Sequence, residues 1–474
     1  MTQQRQGVWF ALFVLFAINT LNFYDRQILG AVGETVREEW KLSDTALGSL
    51  GTAFTLLYAA VGVPLGRLTD RFSRRWILLA GITVWSLLTA GSGLARNFTE
   101  LFIVRLGVGV GEASCAPASA SLIGDLYPSS KRAKAMAVFM IGLPVGIALS
   151  FLVSSLLEHR FGWRFTFYIA LIPGLILAFL SLAITEPTRG ASETHKITST
   201  AKRKGSPYLL VLSIPTMWWI IASGAFHNFN MYAIGAFLSP FLQRVHHTSK
   251  LNAGMISMVV YGLSGIPGLI IGGMLGDRLI KQRRNGRLLV ASVGIFISAP
   301  MMFLGLSRPA GSISAFFIFT SIGMASMYVY YSTVYSAIQD VIEPSLRGTA
   351  MALYFFAMYV LGASLGPVGM GFLSSYFTKQ AALAAGVTDT SFQALRPFAA
   401  EGLHSALYIV PVLGVALGIV LFAASRTVGR DMEKLQRWMR ESADSAHEPK
   451  TEPETDSTTT LPNLAENLSP AVSE

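Results

Sequence analysis

Charge is what this sequence has least of. Charged residues make up 14% of its 474 residues and hydrophobic residues 52%, with a mean hydropathy of +0.50. Soluble domains carry roughly a quarter charged residues, so lipid is the main solvent of this chain. Cysteine is almost missing as well. Cys115 stands alone in an apolar run, so neither a disulfide framework nor a Cys/His zinc spacing can be built. No Gly-Lys dipeptide occurs anywhere, which excludes a Walker loop and an ATP-driven pump of that kind. A paired His/Glu metal motif and a catalytic Cys/His group are also missing, which argues against a membrane-embedded lipid enzyme. No enzyme activity, metal or cofactor is therefore expected. The first apolar run is too long for a signal-peptide core and lacks a small-residue cleavage site, so it reads as a retained first helix. The net charge of +10 sits in short loops between apolar spans. That placement fits topology rather than nucleic acid, which is not expected as a partner.

What is present is a series of apolar segments, each near the length of about 20 residues that crosses a bilayer. They fall at 8–30, 46–65, 76–95, 99–124, 134–156, 164–184, 213–240, 251–275, 287–306, 312–338, 348–376 and 402–425. The expected fold is an all-α membrane protein of twelve transmembrane helices in two six-helix halves. With the amino terminus inside, the cytoplasmic loops hold more Lys and Arg than the external ones, so both termini are expected to be cytoplasmic. The domains are then an N-terminal bundle over 1–185, a polar and basic cytoplasmic linker over 186–206, and a C-terminal bundle over 207–425. A cytoplasmic tail follows over 426–474. In the tail Met432, Leu435 and Met439 share one helical face beside Trp438, flanked by Arg430, Lys434, Arg437 and Arg440. This predicts a short helix lying on the membrane surface. Beyond about 443 the composition rich in Ser, Thr, Glu and Pro predicts disorder.

An internal repeat supports the two halves. Residues 66–71 read GRLTDR and 273–278 read GMLGDR; residues 125–137 read DLYPSSKRAKAMA and 340–352 read DVIEPSLRGTAMA. Each pair follows the equivalent helix of its own half, as in a duplicated six-helix unit. Gly66, Leu68, Asp70, Arg71, Arg74 and Arg75 resemble the signature loop of the major facilitator superfamily, and Gly273, Leu275, Asp277 and Arg278 resemble its weaker second copy. Ser73 stands where that signature has glycine. A finer resemblance is to the spinster family. It is carried by Asn22-Phe23-Tyr24-Asp25-Arg26, by Arg105 with Gly107-Val108-Gly109-Val110-Gly111-Glu112, by Asp125-Leu126-Tyr127-Pro128 and by Gly142-Leu143-Pro144-Val145-Gly146. The helix 1 segment is shared with organic-anion:proton symporters of the same superfamily. The resemblance implies a secondary active transporter working by alternating access, with helices 1, 4, 7 and 10 lining a central cavity. It also implies a lysolipid- or sphingolipid-like substrate; a small organic anion or drug-like compound is the alternative. The expected setting is the inner (plasma) membrane, crossed many times, with membrane lipid and protons as partners and the chain acting as a monomer.

The signature loop has a physical reading. Asp70 can accept from a helix amino terminus or pair with a base, while Arg71, Arg74 and Arg75 sit among headgroups. Contacts of that kind, repeated at Asp277 and Arg278, suit a gate latch; the plain alternative is that the charges set topology alone.

The sharpest functional signal is ionisable residues inside spans, since each costs at least about 2.5 kcal/mol at the bilayer centre. These are Asp25, Arg26, Arg105 and Glu112. The rise per residue puts Asp25 and Arg105 at matching depth, so an ion pair between them is expected. Glu112 lies on the same helix face as Arg105, about 10 Å along the axis, with no evident partner at its level. It is the expected proton-coupling carboxyl, with Asp25 and Arg105 beside it; a permanently hydrogen-bonded structural carboxyl is the alternative. Arg105 and Arg26 are candidates to hold an anionic head, although Arg26 equally suits the external interface. Asn22, His227 and Asn228 are further polar candidates. Tyr328, Tyr331 and Tyr335 form one aromatic stripe, which simple packing would also produce.

Overall fold

The computed structural model describes residues 2–188, 206–343 and 346–447, and every regular element among them is helical. The N-terminal half begins with α1 (Thr2–Trp40), α2 (Asp44–Arg71) and α3 (Arg74–Ser92). Its fourth crossing is split into α4 (Phe98–Glu112) and α5 (Cys115–Leu126), and α6 (Ser129–Phe161) and α7 (Trp163–Leu182) complete it. Caps fix the starts: the Ser43 side chain accepts from the Ala46 N–H, and the Asn97 side chain accepts from the Glu100 N–H.

The C-terminal half opens with the short α8 (Pro207–Leu212) and then α9 (Pro215–Arg244). Two of its crossings carry a wide π-helical turn. The first runs α10 (Lys250–Ser257), a π segment (Met258–Leu263) and α11 (Gly265–Ile280). After α12 (Gly286–Leu306) and α13 (Ile313–Val341), the second runs α14 (Arg347–Ala357), a π segment (Met358–Ala363) and α15 (Leu365–Ala384). The one-turn α16 (Phe392–Leu395) leads to α17 (Ala399–Leu407) and α18 (Ile409–His447). Eleven of these units are long and apolar enough to cross a membrane. The twelfth is α9, whose apolarity is lowered by the buried His227, Asn228 and Asn230. The protein is thus a twelve-helix membrane protein.

The two π segments share a pattern, Met-x-Val-x-Gly-x-Ser, at Met258–Ser264 and again at Met358–Ser364. A π turn frees carbonyls from the regular ladder, and here they are taken up. Tyr328 donates to the Tyr261 carbonyl at 2.9 Å, and Thr52 in the other half donates to the Ser364 carbonyl at 2.5 Å.

The halves meet along three seams: α1 with α9, α2 with α15, and α6 with α10 and its π segment. Small residues let backbones touch there. A Cβ on Gly48 would fall on the Pro367 carbonyl, and one on Gly254 would fall on the Ser155 hydroxyl. The seams are tightest at the end of the bundle holding the α1–α2 turn, called here the closed end. Toward the opposite, linker end, contact between halves thins to places such as α14 against α2.

The tail departs from expectation. No break separates it from the last crossing, because α18 continues as one helix to His447. Asp431 explains the continuity. It accepts from the Thr216 N–H at 3.0 Å and from the Thr216 hydroxyl at 2.6 Å, so the extension caps α9. The expected surface helix is therefore a prolongation of the twelfth helix, which runs to His447. Residues 448–474, and 189–205 of the linker, lie outside the described residues.

Candidate functional site

The intramembrane charges of the N-terminal half converge between α1 and α4. Asp25, Arg26, Arg105 and Glu112 are all buried, Asp25 and Glu112 completely. Gly109 and Gly111 bring α4 against the Phe54 backbone and Trp85. Glu112 is the last residue of α4, at the break before α5, where the Ser114 hydroxyl donates to the Gly111 carbonyl at 2.8 Å.

The pairing differs from expectation. Arg26 Nε donates to Glu112 Oε2 at 2.7 Å, and Asn22 Nδ2 donates to the same oxygen at 3.2 Å. Glu112 therefore has a partner, and Arg26 points into the bundle rather than to an interface. Asp25 and Arg105 feel each other's charge but form no ion pair. Among the described residues, Glu112 Oε1 and Arg105 Nε and Nη1 have no hydrogen-bond partner, and Asp25 has none of normal geometry, with the Trp85 indole N–H nearby. The reason is reach. Asp25 is short, whereas the longer Arg26 side chain extends to the α4 break, where a buried carboxylate needs donors. Arg105 lies over the Phe54 ring, 5.1 Å from its centroid.

Arg26 also touches the other half. Its Nη1 donates to the hydroxyls of Tyr359 at 3.2 Å and Tyr232 at 3.4 Å. Its guanidinium lies 4.3 Å from the Tyr58 ring centroid and 5.0 Å from that of Phe23, a cation held by rings as well as by a carboxylate. One side chain thus reads both a carboxyl of the N-terminal half and hydroxyls of the C-terminal half.

The facing wall is aromatic. Tyr331 and Tyr335 are partly exposed, and behind them Tyr328, Tyr330 and Tyr354 are buried. Tyr328 is committed to the Tyr261 carbonyl. Tyr330 shares hydrogen bonds with Ser223 at 2.8 Å and Tyr354 at 2.9 Å. His227 stacks on Tyr330 with centroids 3.9 Å apart, and Asn228 donates to the Gly224 carbonyl of its own helix at 3.0 Å.

At the closed end a buried ion network crosses the seam. Arg244 donates to Glu34 at 2.5 and 2.8 Å and, with two nitrogens, to Asp44 at 2.8 Å. Arg37 donates to Glu34 at 2.8 Å and Ser374 donates to Asp44 at 2.5 Å. On another seam Glu158 accepts from Thr35 and pairs with Lys250 at 3.2 Å.

At the linker end, Arg74 is buried and holds Asp125 and Glu186 together, the latter at 3.1 Å, and its Nη2 donates to the Pro187 carbonyl. Arg287 plays the matching part in the other half, donating to both oxygens of Asp340 at 2.6 Å and to Asp277 at 2.9 Å. Arg71 and Arg278 are exposed, and Arg75 lies 4.0 Å from Glu186. Gly66 and Asp70 fall in α2, but their surroundings lie outside the described residues.

The sequence pattern described as Major Facilitator Superfamily matches residues 15–367. The chain belongs to the major facilitator superfamily. Within that family, spinster homolog 1 of Mus musculus is 30% identical over 393 residues, 76% of this chain and 72% of that protein. Protein spinster of Drosophila melanogaster is 28% identical, and the match spans 78% of this chain but only 62% of the fly protein's length. An MFS-type efflux pump of Mycolicibacterium smegmatis is 28% identical over 78% of this chain and 85% of the pump. Among solved structures, a bacterial homolog of the human lysosomal transporter spinster, inward-facing and unoccupied, matches with a TM-score of 0.77 and 26% identity. It covers 90% of this chain and 98% of that one. This superfamily member is accordingly a spinster-type transporter.

Tyr58, Tyr232 and Tyr359 were not evident from the sequence, although Tyr232 lies one turn beyond Asn228 on α9. Glu34, Arg37, Asp44 and Arg244 lie near span ends, where a charge is unremarkable in a sequence. Their partner across the seam is a long-range fact that spacing does not carry.

Proposed function

We propose that this transporter is proton-coupled, works by alternating access, and moves an anionic amphiphile of the lysolipid or sphingolipid kind. The observation that carries the reading is Arg26, buried between a carboxylate of one half and two tyrosine hydroxyls of the other. While Glu112 is charged it holds Arg26. A proton on Glu112 weakens that pair and frees the guanidinium for the substrate's anionic head. Arg105 supplies a second cation, and Asp25 a second carboxyl that can take up the proton nearby. The apolar and aromatic walls receive the tail.

The membrane is the inner (plasma) membrane, both termini are cytoplasmic, and the closed end faces outward. The N-terminal and C-terminal bundles rock about the site within a single chain, which acts as a monomer. Asp70 and Asp277 are latch residues whose contacts belong to one arrangement of the halves. A second reading, export of a drug-like compound, draws support from the resemblance to the mycobacterial efflux pump.

The test is substrate-coupled proton movement in proteoliposomes. Glu112→Gln is expected to keep substrate exchange but lose accumulation driven by a pH gradient. Wild-type proton stoichiometry in that variant would move the role to Asp25.

A further inference from the structure

His227 is an unusual residue to leave as it is. It is completely buried, and neither ring nitrogen has a hydrogen-bond partner. A buried polar group without a partner carries a free-energy penalty, and such groups in folded proteins call for an explanation. Its neighbours do not relieve it. The ring stacks on Tyr330 with planes 9° apart and meets Tyr331 edge-on, with centroids 4.8 Å apart. The Tyr330 hydroxyl is already engaged with Ser223 and Tyr354. Tyr331 is itself partly exposed, so a single side chain separates His227 from the space between the halves.

We infer that His227, uncovered when Tyr331 swings aside, is a specificity-determining residue that hydrogen-bonds an uncharged group of the substrate, a hydroxyl or an amide. A neutral imidazole offers one donor and one acceptor, and a hydroxyl or amide answers both. A phosphate or carboxylate would find one donor and no cation on this wall. The anionic head therefore engages Arg26 and Arg105 in the N-terminal half while an uncharged polar group engages His227 opposite. The Tyr330 stack fixes the plane of the ring and so the direction in which its nitrogens point. This rests on the reading of the substrate as an anionic amphiphile and adds to it a demand for a second, neutral polar group.

The experiment uses the purified full-length chain and two probes, oleoyl lysophosphatidate and its analogue lacking the glycerol hydroxyl. Binding is followed by ligand-induced thermal stabilisation and by competition in proteoliposome transport. One neutral hydrogen bond in a desolvated site is expected to favour the hydroxyl compound by about tenfold. His227→Phe keeps the stack on Tyr330 and should bring the two probes to within about twofold. His227→Gln, which retains a donor and an acceptor, should restore most of the preference. Equal binding of both probes to wild type, or an unchanged ratio in His227→Phe, overturns the His227 assignment and leaves the anionic-amphiphile reading standing. Failure of both probes to bind overturns both readings. Tighter binding of an ammonium-bearing analogue, unaffected by His227→Phe, would assign the tyrosine faces to a cation and also overturn the inference.

Discussion

The N-terminal half places Asp25, Arg26, Arg105 and Glu112 inside its spanning helices, whereas the C-terminal half builds its facing wall from His227 and tyrosines. Its charges are kept to helix ends such as Arg244, Asp277 and Lys379. Buried charge demands local compensation, and breaking a buried pair costs about 3–5 kcal/mol. A neutral wall has no such demand and can slide past the other half at little electrostatic cost. One half thus stores charge and the other offers a surface to move against it, with Arg26 as the contact between them. At the closed end this division is suspended, because Arg244 comes from the C-terminal half and its carboxylates from the other.

The largest test of the comparison is at that exception. Arg244→Ala takes the other half's cation from Glu34 and Asp44 and leaves them Arg37 alone, which is expected to cost the sealed arrangement about 3 kcal/mol. Paired spin labels across the closed end should report a population with longer distances; an unchanged distribution would make the network a local brace. Next come double-mutant cycles within the N-terminal half. Arg26 and Glu112 should couple by about 2 kcal/mol, whereas Asp25 and Arg105, which feel each other's charge without an ion pair, should couple by less. Thermal stability in detergent measures both, and a larger coupling for the second pair would reverse the assignment.

A smaller effect is expected where the halves touch. Tyr359→Phe removes one hydroxyl from Arg26 and should cost about 1 kcal/mol, visible as a change in substrate exchange rate with the fold intact. The smallest is at the linker end, outside the spans. Burial alone would raise the Glu186 carboxyl, but hydrogen bonds from the Ser73 hydroxyl and from the Arg74 backbone N–H and guanidinium outweigh it and hold it below the usual carboxylate range. A depressed value means that the clamp's contribution is present above about pH 4.3 and lost as pH falls through the folded value. Thermal scans at falling pH should show Glu186→Gln with a flatter acid limb than wild type; identical limbs would mean the clamp adds nothing.

Much of this was legible beforehand, for definable reasons. Length and apolarity gave twelve crossings, including α9, because a spanning helix is a one-dimensional signal. Depth along a helix is equally simple, so Asp25 and Arg105 were placed at matching depth, with Glu112 about 10 Å along the axis from Arg105. Rise fixes depth but not azimuth or reach, and the pairing of Arg26 with Glu112 therefore differed from the expected ion pair. The break after Glu112 has its local sign in Pro117, which has no N–H for the Ala113 carbonyl and whose ring crowds the preceding turn. The tail looked separate because its polarity changes at 426, yet nothing in its backbone ends a helix there, and the capping role of Asp431 depends on Thr216, more than two hundred residues earlier.

The paired π turns have a consequence for anyone drawing helical wheels of this chain. A π turn accommodates one residue more than an α turn, so everything after it is rotated by about 100° relative to an uninterrupted wheel. The lipid-facing stripe drawn through α10 does not continue into α11, nor that of α14 into α15. Any assignment of faces along these two crossings, whether for labelling sites, cysteine scanning or designed contacts, has to restart its phase at Ser264 and again at Ser364.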